Sequence, residues 1–130
     1  MGKKLFLKHG FVQVDQAPPG FGLMVKSFGG SKLPAFPTDW ANRARQFGSG
    51  LTVLYSGQCP YHPDAVRVVL EAAQARSIEA KAIELKTAEE VRACSPSPYG
   101  VFGVVYNGEL VSYRYFTEKE IDQWLNDHVR

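Results

Sequence analysis

The chain is 130 residues long, 45% hydrophobic and 22% charged, an ordinary composition for one soluble globular domain of about 100 to 200 residues. Fifteen Lys and Arg against thirteen Asp and Glu leave a formal charge of +2, too little for the dense basic stripe of a nucleic-acid surface. No apolar run approaches the roughly 18 residues that cross a membrane, and the first residues lack an apolar signal core, so a cytoplasmic protein without a membrane segment is expected. The charge is unevenly spread: residues 1–50 carry seven basic and two acidic groups (+5), residues 51–130 eight and eleven (−3). Two cysteines, Cys59 and Cys94, are too few for a disulfide-built scaffold and are read as free thiols.

Lys3 to His9 forms a short helix-like patch with Leu5 and Phe6 apolar, and Phe11 to Val14 alternates like a strand. Ala17-Pro18-Pro19-Gly20 forces a turn, after which Phe21 to Phe28 returns as a second strand. Fewer than 30 residues cannot bury enough surface to stand alone, so this piece must dock on something. From Ser27 to Pro37 the chain holds two glycines, two prolines and no period, which marks a linker. Residues 1–28, 29–37 and 38–130 are therefore taken as a leading segment, a linker and the main domain.

Thr38 and Asp39 can cap a helix to about Phe47, with Trp40, Ala44 and Phe47 on one side. Leu51 to Tyr55 reads as a strand buried on both faces. A loop, Ser56 to His62, leads into a helix that opens at Pro63, where a missing N–H does no harm. Its Val66, Val69, Leu70 and Ala73 fall on one face. Ala80 to Leu85 is the next strand, parallel to the first because a helix crosses between them. Thr87 to Glu90 matches a capping box opening a helix to about Cys94, which Ser95-Pro-Ser-Pro98 stops. Asn107-Gly108 joins Val101 to Tyr106 and Glu109 to Phe116 as a hairpin. A second capping box, Thr117 to Glu120, opens the last helix, with Ile121, Trp124 and Leu125 apolar. From residue 51 the order β-α-β-α-β-β-α gives an α/β fold: a four-stranded mixed sheet flanked by helices.

Cys59 falls between the first parallel strand and its crossover helix, and open α/β sheets hold their sites at that end. A thiol at a helix N-terminus meets unpaired N–H groups and the positive end of the helix dipole, both of which favour thiolate. A structural cysteine sits in a strand or on a helix's apolar face, whereas Cys59 lies in a polar loop. His62 would share the first helical turn and add a charge partner, and by itself it also reads as a capping or surface residue. Cys94 reads as a packing residue, able to pair with Cys59 only if the proline turn folds against it. His9, His62 and His128 are scattered, so no metal or other cofactor is indicated. The hairpin aromatics Tyr99, Phe102, Tyr106, Tyr113, Tyr115 and Phe116 read first as core.

Strand, Cys59-Pro60-Tyr61-His62, helix, strand, helix, Ser97-Pro98, hairpin and terminal helix together resemble the thioredoxin and glutaredoxin fold. That resemblance implies a nucleophilic thiol at Cys59, and a cis proline before the third strand, Pro98 or alternatively Pro96. His62 replaces the usual second cysteine, which implies a monothiol mechanism through a mixed disulfide. Over nearly the whole chain, Leu5 to Phe11, Ala17-Pro-Pro-Gly20, Cys59-Pro60-Tyr61, Ser95 to Gly100 and Tyr106-Asn-Gly108 are similar to the carboxyl-terminal part of YoaP-like proteins. In that family a GNAT acetyltransferase domain precedes a thioredoxin-like one, and residues 3–28 resemble the end of the GNAT domain. Gln16 to Gly22 does not have the spacing of the GNAT acetyl-CoA loop and reads as a turn, so no acetyltransferase activity is expected from this chain alone.

The expected function is thus monothiol redox or thiol-reactive chemistry, with Cys59 and His62 catalytic and Pro60, Tyr61 and Pro98 binding the substrate. A small thiol such as glutathione or a GNAT acetyltransferase domain would be the partner. The alternatives are a non-catalytic accessory or binding module of a GNAT N-acetyltransferase and, more weakly, soft-metal binding at Cys59.

Overall fold

The computed structural model describes residues 3–28, 33–57 and 62–129, with the backbone alone at His62. Two compact units divide the chain, Met1–Trp40 and Ala41–Arg130. Among the described residues no helix is long and apolar enough to cross a membrane.

The first unit holds α1 (Lys3–Lys8), β1 (Val12–Ala17) and β2 (Phe21–Val25). Helix α1 ends where the Phe6 carbonyl accepts from His9 N at 3.1 Å and Phe11 N at 2.9 Å. Gly10, at φ 87°, supplies the left-handed residue that this reversal needs. The strands pair antiparallel, with a register shift between Gln13 and Asp15. The Asp15 carboxylate accepts from the amides of Gln16 and Phe36, each at 2.8 Å, and so ties the following segment to β1. No residue of α1 is buried.

The second unit is a four-stranded sheet with helices on both faces. In chain order come α2 (Trp40–Arg45, its first residue closing the first unit), β3 (Leu51–Tyr55), α3 (His62–Ala75), β4 (Ala80–Glu84), α4 (Ala88–Cys94), β5 (Phe102–Tyr106), β6 (Glu109–Ser112) and α5 (Glu118–His128). The sheet runs β4-β3-β5-β6. β3 pairs parallel with β4 and antiparallel with β5, and β5 pairs antiparallel with β6. This is the mixed α/β architecture expected from the order of elements.

Alternation along β3 explains the two cores. Leu51 and Val53 face Ala65, Val69, Ala72 and Ala73 of α3 and Ile121 and Leu125 of α5, together with Phe102 and Val104. Leu54 faces the other way, toward Ala44, Phe47, Leu85 and Val105, with Val91 and Cys94 of α4 packed against them. A strand buried on both faces must be apolar at successive positions, and Leu51 to Leu54 are all buried. One polar atom is enclosed there, Thr52 Oγ1, which has no hydrogen-bond partner among the described residues.

Several boundaries differ from expectation: in the first unit β1 runs on to Ala17 rather than Val14 and β2 stops at Val25 rather than Phe28. β6 stops at Ser112, because its hydroxyl accepts from Arg114 N and donates to the Arg114 carbonyl, both at 3.0 Å, and turns the chain aside. A register shift between Val104 and Val105 loosens the same pairing. The capping box of α4 is only half formed. Thr87 Oγ1 accepts from Glu90 N at 3.1 Å, but the Glu90 carboxylate reaches one residue further back, to Lys86 N at 2.8 Å. At α5 the box is complete, Thr117 and Glu120 bonding reciprocally. Finally, α2 ends at Arg45 rather than Phe47, tightening through Phe47 N to Ala44 O and Gly48 N to Arg45 O.

Candidate functional site

The carboxyl ends of β3 and β4 and the loop before β5 converge. Leu85 N donates to Tyr55 O at 2.7 Å and Ser56 N donates to Val101 O at 3.0 Å. Cys59 follows this strand end in sequence, but Cys59, Pro60 and Tyr61 lie outside the described residues, as does the His62 side chain. His62 is the first residue of α3.

The proline loop is held by its serines. Ser95 Oγ donates to the Ser97 carbonyl at 2.7 Å and Tyr99 N donates to Ser97 Oγ at 3.2 Å. Arg43 Nη1 donates to the Ser95 carbonyl at 3.2 Å. Ser95 and Ser97 are buried, Pro98 half-buried. The alternating Ser-Pro-Ser-Pro spelling was the available signal for this ladder, since a hydroxyl two residues from a backbone group closes a local turn. Beyond it, Tyr99 lies 5.8 Å from Tyr113, Phe102 meets Tyr115 edge-on at 4.8 Å, and Arg114 stands 5.3 Å over Tyr113. Phe102 is core, as the aromatic pattern suggested, whereas Tyr115 is exposed.

The cis proline implied by the thioredoxin resemblance is not found. Among the described residues the cis peptide bond is Pro18–Pro19, so Pro96 and Pro98 both follow trans bonds. Cys94 is a free, half-buried thiol packed against the second core, consistent with its reading as a packing residue. Among the described residues no group of three or more His, Cys, Asp or Glu side chains could hold a metal ion.

A cleft that sequence reasoning missed opens beside these segments. It has a volume of about 560 Å³ and is lined by Ser56 and Gly57 after β3, by Glu84 to Ala88, and by Val91 and Arg92 of α4. Nothing in the residue pattern names it, because it depends on which face of the sheet each crossover helix takes.

No family model matches the chain. The chain is similar to a protein of Bacillus subtilis (strain 168) described as "Uncharacterized N-acetyltransferase YoaP", being 27% identical over 128 residues, which cover 97% of this chain and 50% of the relative. The chain therefore spans about half the length of the curated relative it matches. This finding overturns the expectation of monothiol redox or thiol-reactive chemistry at Cys59, and of soft-metal binding there, because the relative is named for acetyl transfer.

Proposed function

We propose that this chain is a non-catalytic accessory or binding module of a GNAT N-acetyltransferase. The observation that carries the reading is the match itself: nearly all of this chain is similar to about half of a protein named as an N-acetyltransferase, leaving a comparable length of that relative unmatched. The first unit supports it. Leu5, Phe6, Leu7 and Val12 are exposed apolar residues on a helix and a strand that bury almost nothing, as expected of the end of a larger domain that supplies the missing core. On this reading residues 1–28 are the carboxyl-terminal end of a GNAT domain, residues 29–37 a linker and residues 38–130 a thioredoxin-like scaffold. The parallel first pair and antiparallel hairpin of the β-α-β-α-β-β-α order support that scaffold. Pro60, Tyr61 and Pro98 belong to its binding face, and Cys59 and His62 have no catalytic task. The module works in the cytoplasm.

The test pairs the purified full chain with the separately expressed unmatched half of the Bacillus subtilis relative. Complex formation on a sizing column is expected, and its loss in the triple variant Leu5→Ser, Phe6→Ser, Leu7→Ser. Acetyl-CoA with a panel of primary amines should give no turnover with the chain alone. Turnover by the isolated chain would refute the non-catalytic assignment, and absence of a complex would refute the association.

A further inference from the structure

The sheet of the second unit ends at β4, which among the described residues pairs with β3 alone. The odd-numbered residues of this segment turn their backbone toward β3: Leu51 N donates to Glu79 O at 2.9 Å and Leu85 N donates to Tyr55 O at 2.7 Å. The amides and carbonyls of Ala80 and Ala82 therefore point outward, a row able to pair with another strand.

The side chains along this edge select the strand it fits. Ile83 and Leu85 belong to the second core and Ala80 to the first, so alternation puts Glu79 and Lys81 on one face and Ala80, Ala82 and Glu84 on the other. Glu79 and Lys81 are both exposed, and among the described residues no ion pair engages either of them. A second copy related by a two-fold axis normal to the sheet would continue it antiparallel, each face matched to itself, so opposing positions are both odd or both even. With Ala80 opposite the second copy's Ala80, Glu79 meets Lys81 on both sides of the axis. These are the positions without hydrogen bonds between them, where Cα atoms approach to about 4.5 Å and side chains lie closest. The adjacent registers fail: centring on Glu79 or Lys81 sets like charges face to face, and centring on Ala82 puts Lys81 opposite Ile83. Beyond Ile78 the ladder stops, because Ile78 N is already given to Ala73 O at 2.9 Å and Ser77 turns the chain at φ 54°.

We propose that the chain self-associates through this edge into a two-fold dimer, β4 pairing antiparallel with β4 of a second copy and Glu79 set twice against Lys81. So short a ladder makes a weak, reversible dimer. It uses no residue of the first unit and requires no acetyltransferase, so it stands or falls separately from the association proposed above.

Sedimentation velocity of the full chain from micromolar to millimolar concentration tests the proposal, and a monomer–dimer equilibrium is expected. Glu79→Lys and Lys81→Glu each set like charges opposite one another at both contacts, and each should weaken self-association about tenfold. Mixing the two variants should restore association as a heterodimer, because unlike charges then oppose one another across the axis. The double variant should self-associate like the original chain. Both positions are exposed, so an unchanged urea midpoint verifies that the variants fold. A monomer at every concentration would mean that these charges only guard the edge, and overturns the dimer. So does a dimer indifferent to both single variants, or a mixture of them that fails to associate. Loss of the dimer in the Leu5→Ser, Phe6→Ser, Leu7→Ser variant would place the contact in the first unit and overturns it as well.

Discussion

The two units of this chain use similar residue types to opposite effect. Both contain Leu, Val and Phe in short helices and strands. In Ala41–Arg130 these residues close two cores around a sheet, with Val53, Val69, Val104, Ile121 and Leu125 all at 0% exposure. In Met1–Trp40 they stay outside: among the described residues, six of the seven large hydrophobic residues found exposed, Leu5, Phe6, Leu7, Val12, Phe28 and Leu33, belong to this unit. The difference is geometric rather than compositional. A two-stranded ribbon with a six-residue helix has no second layer, whereas a sheet covered on both faces buries successive residues of its central strands, Leu51 to Leu54 in β3 and Phe102 to Val105 in β5.

The largest expected effect follows from cutting the chain between them. A fragment of residues 38–130, which keeps the residues preceding α2, should unfold cooperatively in urea. A peptide of residues 1–40 should give the circular dichroism of an unordered chain. A cooperative transition in the short peptide would break the contrast, and so would loss of one in the long fragment.

Single truncations sharpen the contrast. Leu125→Ala removes a fully buried side chain between α3, α5 and the sheet and should cost about 2 to 5 kcal/mol. Leu5→Ala, at a position 43% exposed, should stay within about 0.5 kcal/mol. Equal effects in urea unfolding would mean that the first unit contributes a core of its own.

Much of the second unit was legible in the residues because its signals are local. The apolar run Leu51 to Tyr55 marked the central strand, and Asn107-Gly108 the hairpin, where both residues take positive φ, 49° and 81°. Thr117 with Glu120 marked the start of α5. What was not legible turns on which of several nearby backbone groups a side chain reaches. The half-formed box at α4 turns on which amide the Glu90 carboxylate can reach, and the early end of β6 on a serine that turns the chain instead of extending it. The expectation of thiol chemistry at Cys59 rested on a place before a helix N-terminus and on a resemblance, and it was overturned by similarity to a protein named as an N-acetyltransferase, which no local feature around the thiol announces. The cleft holding Glu84 and Lys86 was invisible because charges two residues apart on a strand normally read as a solvated edge.

The smallest effect tests how closely each unit is packed, using glycines as probes. At Gly100 an added Cβ would run into Val91 Cγ1 of α4. Gly100→Ala must therefore push the proline loop and α4 apart, which should cost about 1 to 3 kcal/mol. Val91→Ala removes the obstructing methyl groups, so in the double variant the two losses should sum to less than their separate values. In the first unit the same probe meets little resistance. Gly20 has nothing within 4 Å of an added Cβ, and Gly22 meets chiefly the Gln13 side-chain end, at 3.0 Å. Gly20→Ala should then be silent, within about 0.5 kcal/mol, and Gly22→Ala nearly so because Gln13 can swing away. Strict additivity between Gly100→Ala and Val91→Ala would show that the two do not press on one another and that the close fit of loop to helix is absent. A large loss at Gly20 would show instead that the first unit is packed as tightly as the second.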